Sequence, residues 1–307
     1  MKPAFSVVVF TTIAGAAQGL IVTLALALLA GLPLSSGFMS LAIIIAVVML
    51  LIGLGASFGH LGRPERAWRS VLMWRTSWLS REVIVLPTFI GINVLWWLAL
   101  RMGVNTAWLP LAALALAALL WYCTAMIYAC LRFIEEWAQP LTLVNFVLIG
   151  LSSGLVLTCA LGSLAGEARL VQLAGPCALL VTLVAWTTRM LSLRRNATLK
   201  HKSTLQSATG IKSPKLVQKS MGMSAGSFNT REFFHGRTLA ALRHVKLAFI
   251  VLGFALPAAL ALWGLAGGGA LAWVLAVLVQ APGLLAERWF FFAQAKHPQN
   301  LYYQVVS

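Results

Sequence analysis

A succession of apolar runs, each long enough to cross a lipid bilayer, constrains this chain more than any other feature. A spanning helix needs about 20 apolar residues. Runs of that kind cover roughly Phe5–Ala30, Phe38–Gly59, Glu82–Leu100, Trp108–Leu131, Leu141–Leu164, Leu170–Leu191, Val245–Leu265 and Leu271–Phe292. Inside a bilayer each backbone polar group must be satisfied within its own segment, so such runs fold as helices. The expected fold class is all-α: a polytopic membrane protein with eight transmembrane helices, one integral membrane domain over 1–307. Gly31-Leu-Pro-Leu-Ser-Ser-Gly37 and Gly267-Gly268-Gly269 read as turns between runs. The first run is longer than the apolar region of a signal peptide, about 7–15 residues, so it is expected to remain as a span.

Composition agrees. The chain is 60% hydrophobic and 10% charged, against about 25% charged in a soluble domain. That excludes an ordinary soluble enzyme, a disordered chain and a secreted disulfide scaffold. The net charge of +16 comes from 23 Lys and Arg against 7 acids, all of them Glu. Eight spans put both termini on one side, and on that side fall 21 of the 23 basic residues; only Arg101 and Arg169 fall on the other. By the positive-inside rule the termini and the basic 192–244 loop are expected in the cytoplasm, with the chain in a bacterial inner membrane. No nucleic-acid partner is expected; the basic charge is read as facing lipid and protein.

Ligand chemistry is sparse. Cys123, Cys130, Cys159 and Cys177 form no CxxC pair and sit in apolar stretches, so neither an iron–sulfur cluster nor a metal site is expected. The histidines are His60, His201, His235, His244 and His297, none of them in the middle of a run, so no haem is expected in this chain. Any redox role must then use a diffusible cofactor or a partner's centre.

The richest segment follows the second run. It reads Gly59-His60-Leu61-Gly62-Arg63-Pro64-Glu65-Arg66-Ala67-Trp68-Arg69, then Trp74-Arg75-Thr76-Ser77-Trp78-Leu79-Ser80-Arg81-Glu82. His60 closes one span and Glu82 opens the next, so a tight connection can turn both towards one pocket. That pairing suits a quinone, whose redox chemistry moves two electrons and two protons. A histidine can hydrogen-bond a quinone carbonyl and exchange a proton near neutral pH. A carboxyl partly removed from water can relay it, and Arg63 and Arg66 can stabilise anionic intermediates. The competing reading is an interfacial belt of Arg and Trp, common at membrane surfaces. The residue types leave both open.

The run His60-Leu-Gly-Arg-Pro-Glu-Arg-Ala, followed by Leu79-Ser-Arg-Glu82, resembles the membrane-anchor subunit of dimethyl sulfoxide reductase-type molybdoenzymes. The eight-span plan fits that family over nearly the whole chain. The resemblance implies a haem-free anchor that exchanges electrons between quinones, menaquinone or ubiquinone, and an iron–sulfur subunit, which in turn serves a molybdopterin catalytic subunit. It also implies that the family's quinol-site histidine and glutamate fall on His60 and Glu82. One departure is the long basic 192–244 loop. With Ser227-Phe-Asn-Thr-Arg-Glu-Phe-Phe-His235 and the tail His297-Pro-Gln-Asn-Leu-Tyr-Tyr303, it is more similar to the sulfite-oxidising branch, a cytoplasm-facing sulfite dehydrogenase passing electrons from sulfite to quinone. The alternative is the quinol-oxidising anchor of a dimethyl sulfoxide reductase in anaerobic respiration. A transporter is a lesser alternative, since few charges sit at mid-span.

Two further features carry expectations. Glu287, beside Arg288 late in the last run, is either structural glue paired with an arginine or a participant in proton exchange at the quinone site. The 192–244 loop is either an anionic-lipid patch or a docking segment. Docking would set Lys212, Lys215, Lys219 and Arg231 against an acidic partner, with Phe233 and Phe234 in apolar pockets.

Overall fold

The computed structural model describes residues 1–59, 61–104, 106–200, 202–217 and 236–298. It is helical, with no strand among the described residues. The helices are α1 (Phe5–Leu29), α2 (Ser36–Phe58), a 3-10 helix (Pro64–Met73), α3 (Trp78–Arg101), α4 (Trp108–Ala129), α5 (Pro140–Leu164), α6 (Ala168–Ala197) and the short α7 (Leu205–Thr209). Beyond residue 236 come α8 (Leu239–Ile250), a π turn (Val251–Ala255), α9 (Leu256–Trp263), a second π turn (Gly264–Gly268) and α10 (Gly269–Ala293). Among the described residues seven stretches, against the eight expected, can cross a membrane by length and composition, the last of them the continuous Leu239–Ala293. The chain is a multi-pass membrane protein.

Helix starts follow their cap chemistry. The hydroxyls of Ser35, Ser77 and Thr238 accept from the backbone N–H groups of Phe38, Ser80 and Ala241, and Pro140 opens α5. Within Leu239–Ala293 the backbone leaves helical geometry at Gly267, with φ 104° and ψ 10°. A side chain there would be strained; glycine lets the chain reverse, and α8 and α9 lie back along α10. The runs predicted at 245–265 and 271–292 are these two arms.

The helices are apolar all round, as expected when one face meets lipid and the other meets protein. Leu41, Leu51, Leu95 and Leu111 are exposed, while Leu20, Ile43, Phe89 and Ala117 are buried in the core shared by α1 to α4. Lipid supplies little hydrophobic drive between such helices, so close packing of small residues must hold them. Gly15 and Gly19 on α1 and Gly150 and Gly154 on α5 have this spacing. A Cβ on Gly19 would strike the Gly150 carbonyl and the Gly154 backbone, and one on Gly154 would strike Gly19. This crossing joins the α1–α4 bundle to α5, α6 and the α8–α10 arms.

α6 differs from its expectation. Hydropathy ends the sixth run near Leu191 and begins the polar loop at 192; the helix continues to Ala197. No Gly or Pro stops it, and Arg189 finds a partner inside the protein. Arg189, which the sequence assigns to the basic loop side, is in fact buried, as is Arg288. Neither belongs in the charge tally, whose sign is unchanged.

Candidate functional site

The 3-10 helix and the ends of α1 to α4 enclose a cavity of about 640 Å³. Its wall is mostly apolar: Val7 and Phe10 from α1, Leu54 and Phe58 from α2, Leu79, Val83 and Leu86 from α3, and Ile127 from α4. Polar groups are few. Glu82 and Tyr128 line it from the helices, and Arg63 and Arg66 from the connection. An apolar cleft with a few placed polar groups is the usual form of a small-molecule site.

Glu82 is the fifth residue of α3, whose start Ser77 caps. Its carboxylate is buried and accepts a hydrogen bond from the Thr124 hydroxyl of α4. Pro87, one turn further along α3, also lines the cavity. Proline has no N–H to give to the carbonyl four residues back. That carbonyl belongs to Val83, another lining residue.

The basic segment divides. Arg63, Arg66 and Trp68 line the cavity, whereas Arg69, Trp74, Arg75 and Arg81 are not among its lining residues. Those stack instead: Arg75 over Trp74 at 5.4 Å and Arg81 over Trp78 at 4.0 Å. Arg81 also donates to the carbonyls of Trp74 at 2.9 Å and Arg75 at 2.8 Å, closing the turn into α3. Trp68, Leu72, Met73 and Trp74 are exposed. The connection thus divides between cavity wall and exposed surface, and Trp68 belongs to both.

His60 lies outside the described residues. Its neighbours Leu61 and Gly62 line the cavity. Glu287 lies elsewhere. Its Oε1 is 2.7 Å from Nε of Arg189, and its Oε2 is 3.7 Å from Nε of Arg288. The Arg288 guanidinium sits 3.7 Å from the centre of the Phe146 ring. Glu287 is not a lining residue of the large cavity. Lys212 and Lys215 are exposed beyond α7. Lys219, Arg231, Phe233 and Phe234 lie outside the described residues.

Sequence reasoning does not single out Thr124, Tyr128 or Pro87 for the site. A signal exists for two of them. Thr124 and Tyr128 are four apart and so share one face of α4, at the end of an otherwise apolar helix.

Comparison with known proteins gives the family of the chain. A family model described as the DMSO reductase anchor subunit (DmsC) matches residues 1–252. The chain is 45% identical, over 327 aligned positions and 100% of both chains, to a sulfite dehydrogenase subunit from Allochromatium vinosum. An anchor subunit is one component of a complex whose other subunits perform the catalysis. This chain belongs to the DMSO reductase anchor subunit (DmsC) family of membrane proteins.

Proposed function

We propose that this anchor subunit is haem-free and exchanges electrons and protons between the quinone pool and an iron–sulfur partner. The complex would be a sulfite dehydrogenase whose molybdopterin subunit faces the cytoplasm. The observation that carries the reading is the cavity at the bundle end, large enough for a quinone ring, which brings Glu82 together with Arg63 and Arg66. In this reading the headgroup enters from the bilayer among Phe58, Leu79 and Val83. Glu82 holds or delivers a proton at a quinone oxygen, Arg63 offsets the charge that develops there, and Arg66 on the exposed 3-10 helix draws the headgroup in. His60 flanks the same wall in sequence and supplies the second hydrogen bond. Similarity to a sulfite dehydrogenase subunit over its full length favours electron flow from sulfite into quinone.

The reading includes eight crossings of a bacterial inner membrane, with both termini cytoplasmic. Gly31, Gly103 and Gly166, at the turns after α1, α3 and α5, each have φ between 72° and 78°. Gly267 falls at the corresponding place in the fourth hairpin, so the 55-residue stretch counts as two spans joined by a glycine turn. The experiment is Glu82→Gln in the assembled complex. Quinone reduction driven by sulfite should fall, while reduction of a soluble artificial acceptor should persist. Undiminished quinone reduction would remove Glu82 from the site. Reduction of dimethyl sulfoxide by added quinol, with no sulfite activity, would assign the opposite electron direction.

A further inference from the structure

The large cavity is polar at one end and apolar at the other. Its polar side chains lie on the connection or near the helix ends. Arg63, Arg66 and Ser70 belong to the connection, Ser57 and Tyr128 are second-last in α2 and α4, and Glu82 is fifth in α3. From Glu82 inward the wall is apolar: Leu54 of α2, Phe10 of α1, and Val83, Leu86 and Pro87 of α3. Pro87 lies eight residues beyond Leu79, about 12 Å along the axis at 1.5 Å per residue. The cavity therefore descends furthest along α3. At about 640 Å³ it falls in the range that holds a drug-sized ligand, more than a quinone ring alone fills.

The inner end is open to the outside of the bundle. Phe10 and Leu86 are buried, but Pro87 is exposed, so the wall there reaches the outer face of α3. Gly91 follows four residues on and falls on the same face. It is exposed, and a Cβ built on it would meet nothing within 4 Å. Glycine inside a helix is costly beside alanine, and no close approach calls for it here. On α2, Leu51 lies three residues below Leu54 and is exposed. α2 and α3 are tied together at their far ends, where Trp97 Nε1 donates to Ser40 Oγ at 2.7 Å, while at the near end both wall the cavity. The cavity thus continues as an apolar groove, from the level of Glu82 past Leu54 and Pro87 and over Gly91. Gly91 is nine residues beyond Glu82, about 14 Å along the axis, close to half of a hydrocarbon core of about 30 Å.

Resting on the quinone-site reading, we propose that the isoprenoid tail of the quinone leaves the cavity between Leu54 and Pro87 and lies over Gly91 in the groove between α2 and α3. The polarity of the cavity, graded along the helices, fits an amphiphile with a carbonyl-bearing head at the Glu82 end and an apolar chain pointing into the membrane. A tail leaving at the Arg63 end would carry its methylenes into water, which is unfavourable in proportion to the area exposed. A tail leaving at the Pro87 end passes from an apolar wall into hydrocarbon and meets no such cost. The head enters through the side between α2 and α3, and the tail trails along the way it came. With the head at Glu82, a tail of a single isoprene unit ends before Gly91, and a tail of several units passes over it. The groove therefore reads the length of the tail, separately from the head.

Gly91→Phe tests the groove, because it fills space that is open in the parent and leaves the cavity wall alone. Steady-state reduction of two ubiquinones, one with a single isoprene unit and one with four, is measured with the assembled complex in lipid nanodiscs. A misfit of methylene size in an apolar site is worth about 10–200-fold, and a displaced tail still has lipid to lie in, so the low end applies. Gly91→Phe should raise the KM of the four-unit quinone roughly ten-fold relative to that of the single-unit quinone. Leu180→Phe, on an exposed position of α6, controls for bulk at the lipid surface and should leave the ratio unchanged. A second measurement needs no variant: a ubiquinone carrying a diazirine at the end of a four-unit tail should label α3 around Gly91 and α2 around Leu51. An unchanged KM ratio in Gly91→Phe, a rise shared by Leu180→Phe, or labelling confined to other helices would overturn the tail groove. If Glu82→Gln is impaired at the same time, the quinone site stands and the groove belongs to a phospholipid acyl chain. Wild-type quinone reduction in Glu82→Gln would overturn the head position from which the groove is measured, and the groove with it.

Discussion

Arg189 of α6 and Glu287 of α10 meet in the protein interior, Nε to Oε1 at 2.7 Å, with both side chains only 1% exposed. Arg288 completes the group from the other side of the carboxylate at 3.7 Å. The pair ties the sixth helix to the last, and it explains how a helix as polar at its end as α6 remains helical through Ala197. A bilayer-depth arginine is tolerable only with a partner, and Glu287 serves two.

Breaking this cluster should be asymmetric. Glu287→Leu strands two buried guanidinium groups, whereas Arg189→Met leaves a neutral Glu287–Arg288 pair. Removing one partner of a buried ion pair costs about 3–5 kcal/mol. Glu287→Leu should therefore lose most of its folded yield and melt earliest in detergent, with Arg189→Met between it and the parent. Equal melting of the two variants would show that Arg288 contributes nothing to the carboxylate's neutralisation.

Most of this architecture is legible in the sequence because the bilayer imposes a length. Six runs read from hydropathy match α1 to α6 at most boundaries to within a few residues. α6 runs further because its polar tail is held by tertiary partners, which hydropathy does not register. The site is legible in part. Arg63, Arg66 and Glu82 are marked by their chemistry, and the structure brings them to one cavity. Thr124 and Tyr128 come from a helix remote in sequence, and their relation to Glu82 exists only once α3 and α4 pack. The glycine pairs are legible as spacing, but which helix each meets is not.

The α1–α5 crossing should fail on the smallest addition. Gly154→Ala drives a methyl into the backbone of Gly19. Overpacking typically costs about 1–3 kcal/mol, and a backbone neighbour cannot turn aside. Gly91→Ala on α3, where nothing lies within 4 Å of the added carbon, should be neutral or slightly stabilising, since alanine favours helix by about 1 kcal/mol over glycine. Monodisperse yield and melting temperature compare the two. A Gly154→Ala protein as stable as Gly91→Ala would mean that the helices cross less closely.

Single-cysteine labelling should reveal four hairpins. In a background without native cysteines, Met102→Cys, Ala165→Cys and Ala266→Cys should react with an impermeant maleimide from the periplasmic side, and Ser213→Cys only after the membrane is opened. All four positions are exposed. Ala266→Cys labelled together with Ser213→Cys would reduce the crossings to seven and place the C-terminal arm on the other side.

If the partner is the iron–sulfur subunit of the proposed function, Lys212 and Lys215 should contribute to holding it. Both are exposed on the basic segment beyond α7. Screening shortens the reach of charges to about 8 Å at physiological ionic strength, so a docking contact built on them should be salt-sensitive. Lys212→Glu with Lys215→Glu should release the partner from membranes at lower salt than the parent does. Unchanged retention across the salt series would leave these lysines to lipid.

Arg66 and Glu82 should fail in different kinetic terms. Arg66 lies on the exposed 3-10 helix and lines the cavity, where, in the proposed function, its charge would attract a headgroup before and after reduction alike. An interaction made equally with ground and transition states affects KM more than kcat. Arg66→Met should therefore raise the quinone KM several-fold with kcat nearly kept. Glu82 is buried against Thr124, and the proton that the proposed function has it move would be in transit only while the quinone changes state. Glu82→Gln keeps the shape and ends that transfer, so kcat should fall by about 10²–10³, the scale on which a single transition-state donor acts, with KM little changed. Steady-state quinone reduction by the assembled complex separates the two terms. A Glu82→Gln enzyme that loses only affinity would make the carboxylate a binding group and move the proton chemistry to another residue on the cavity wall, with Tyr128 the first to test.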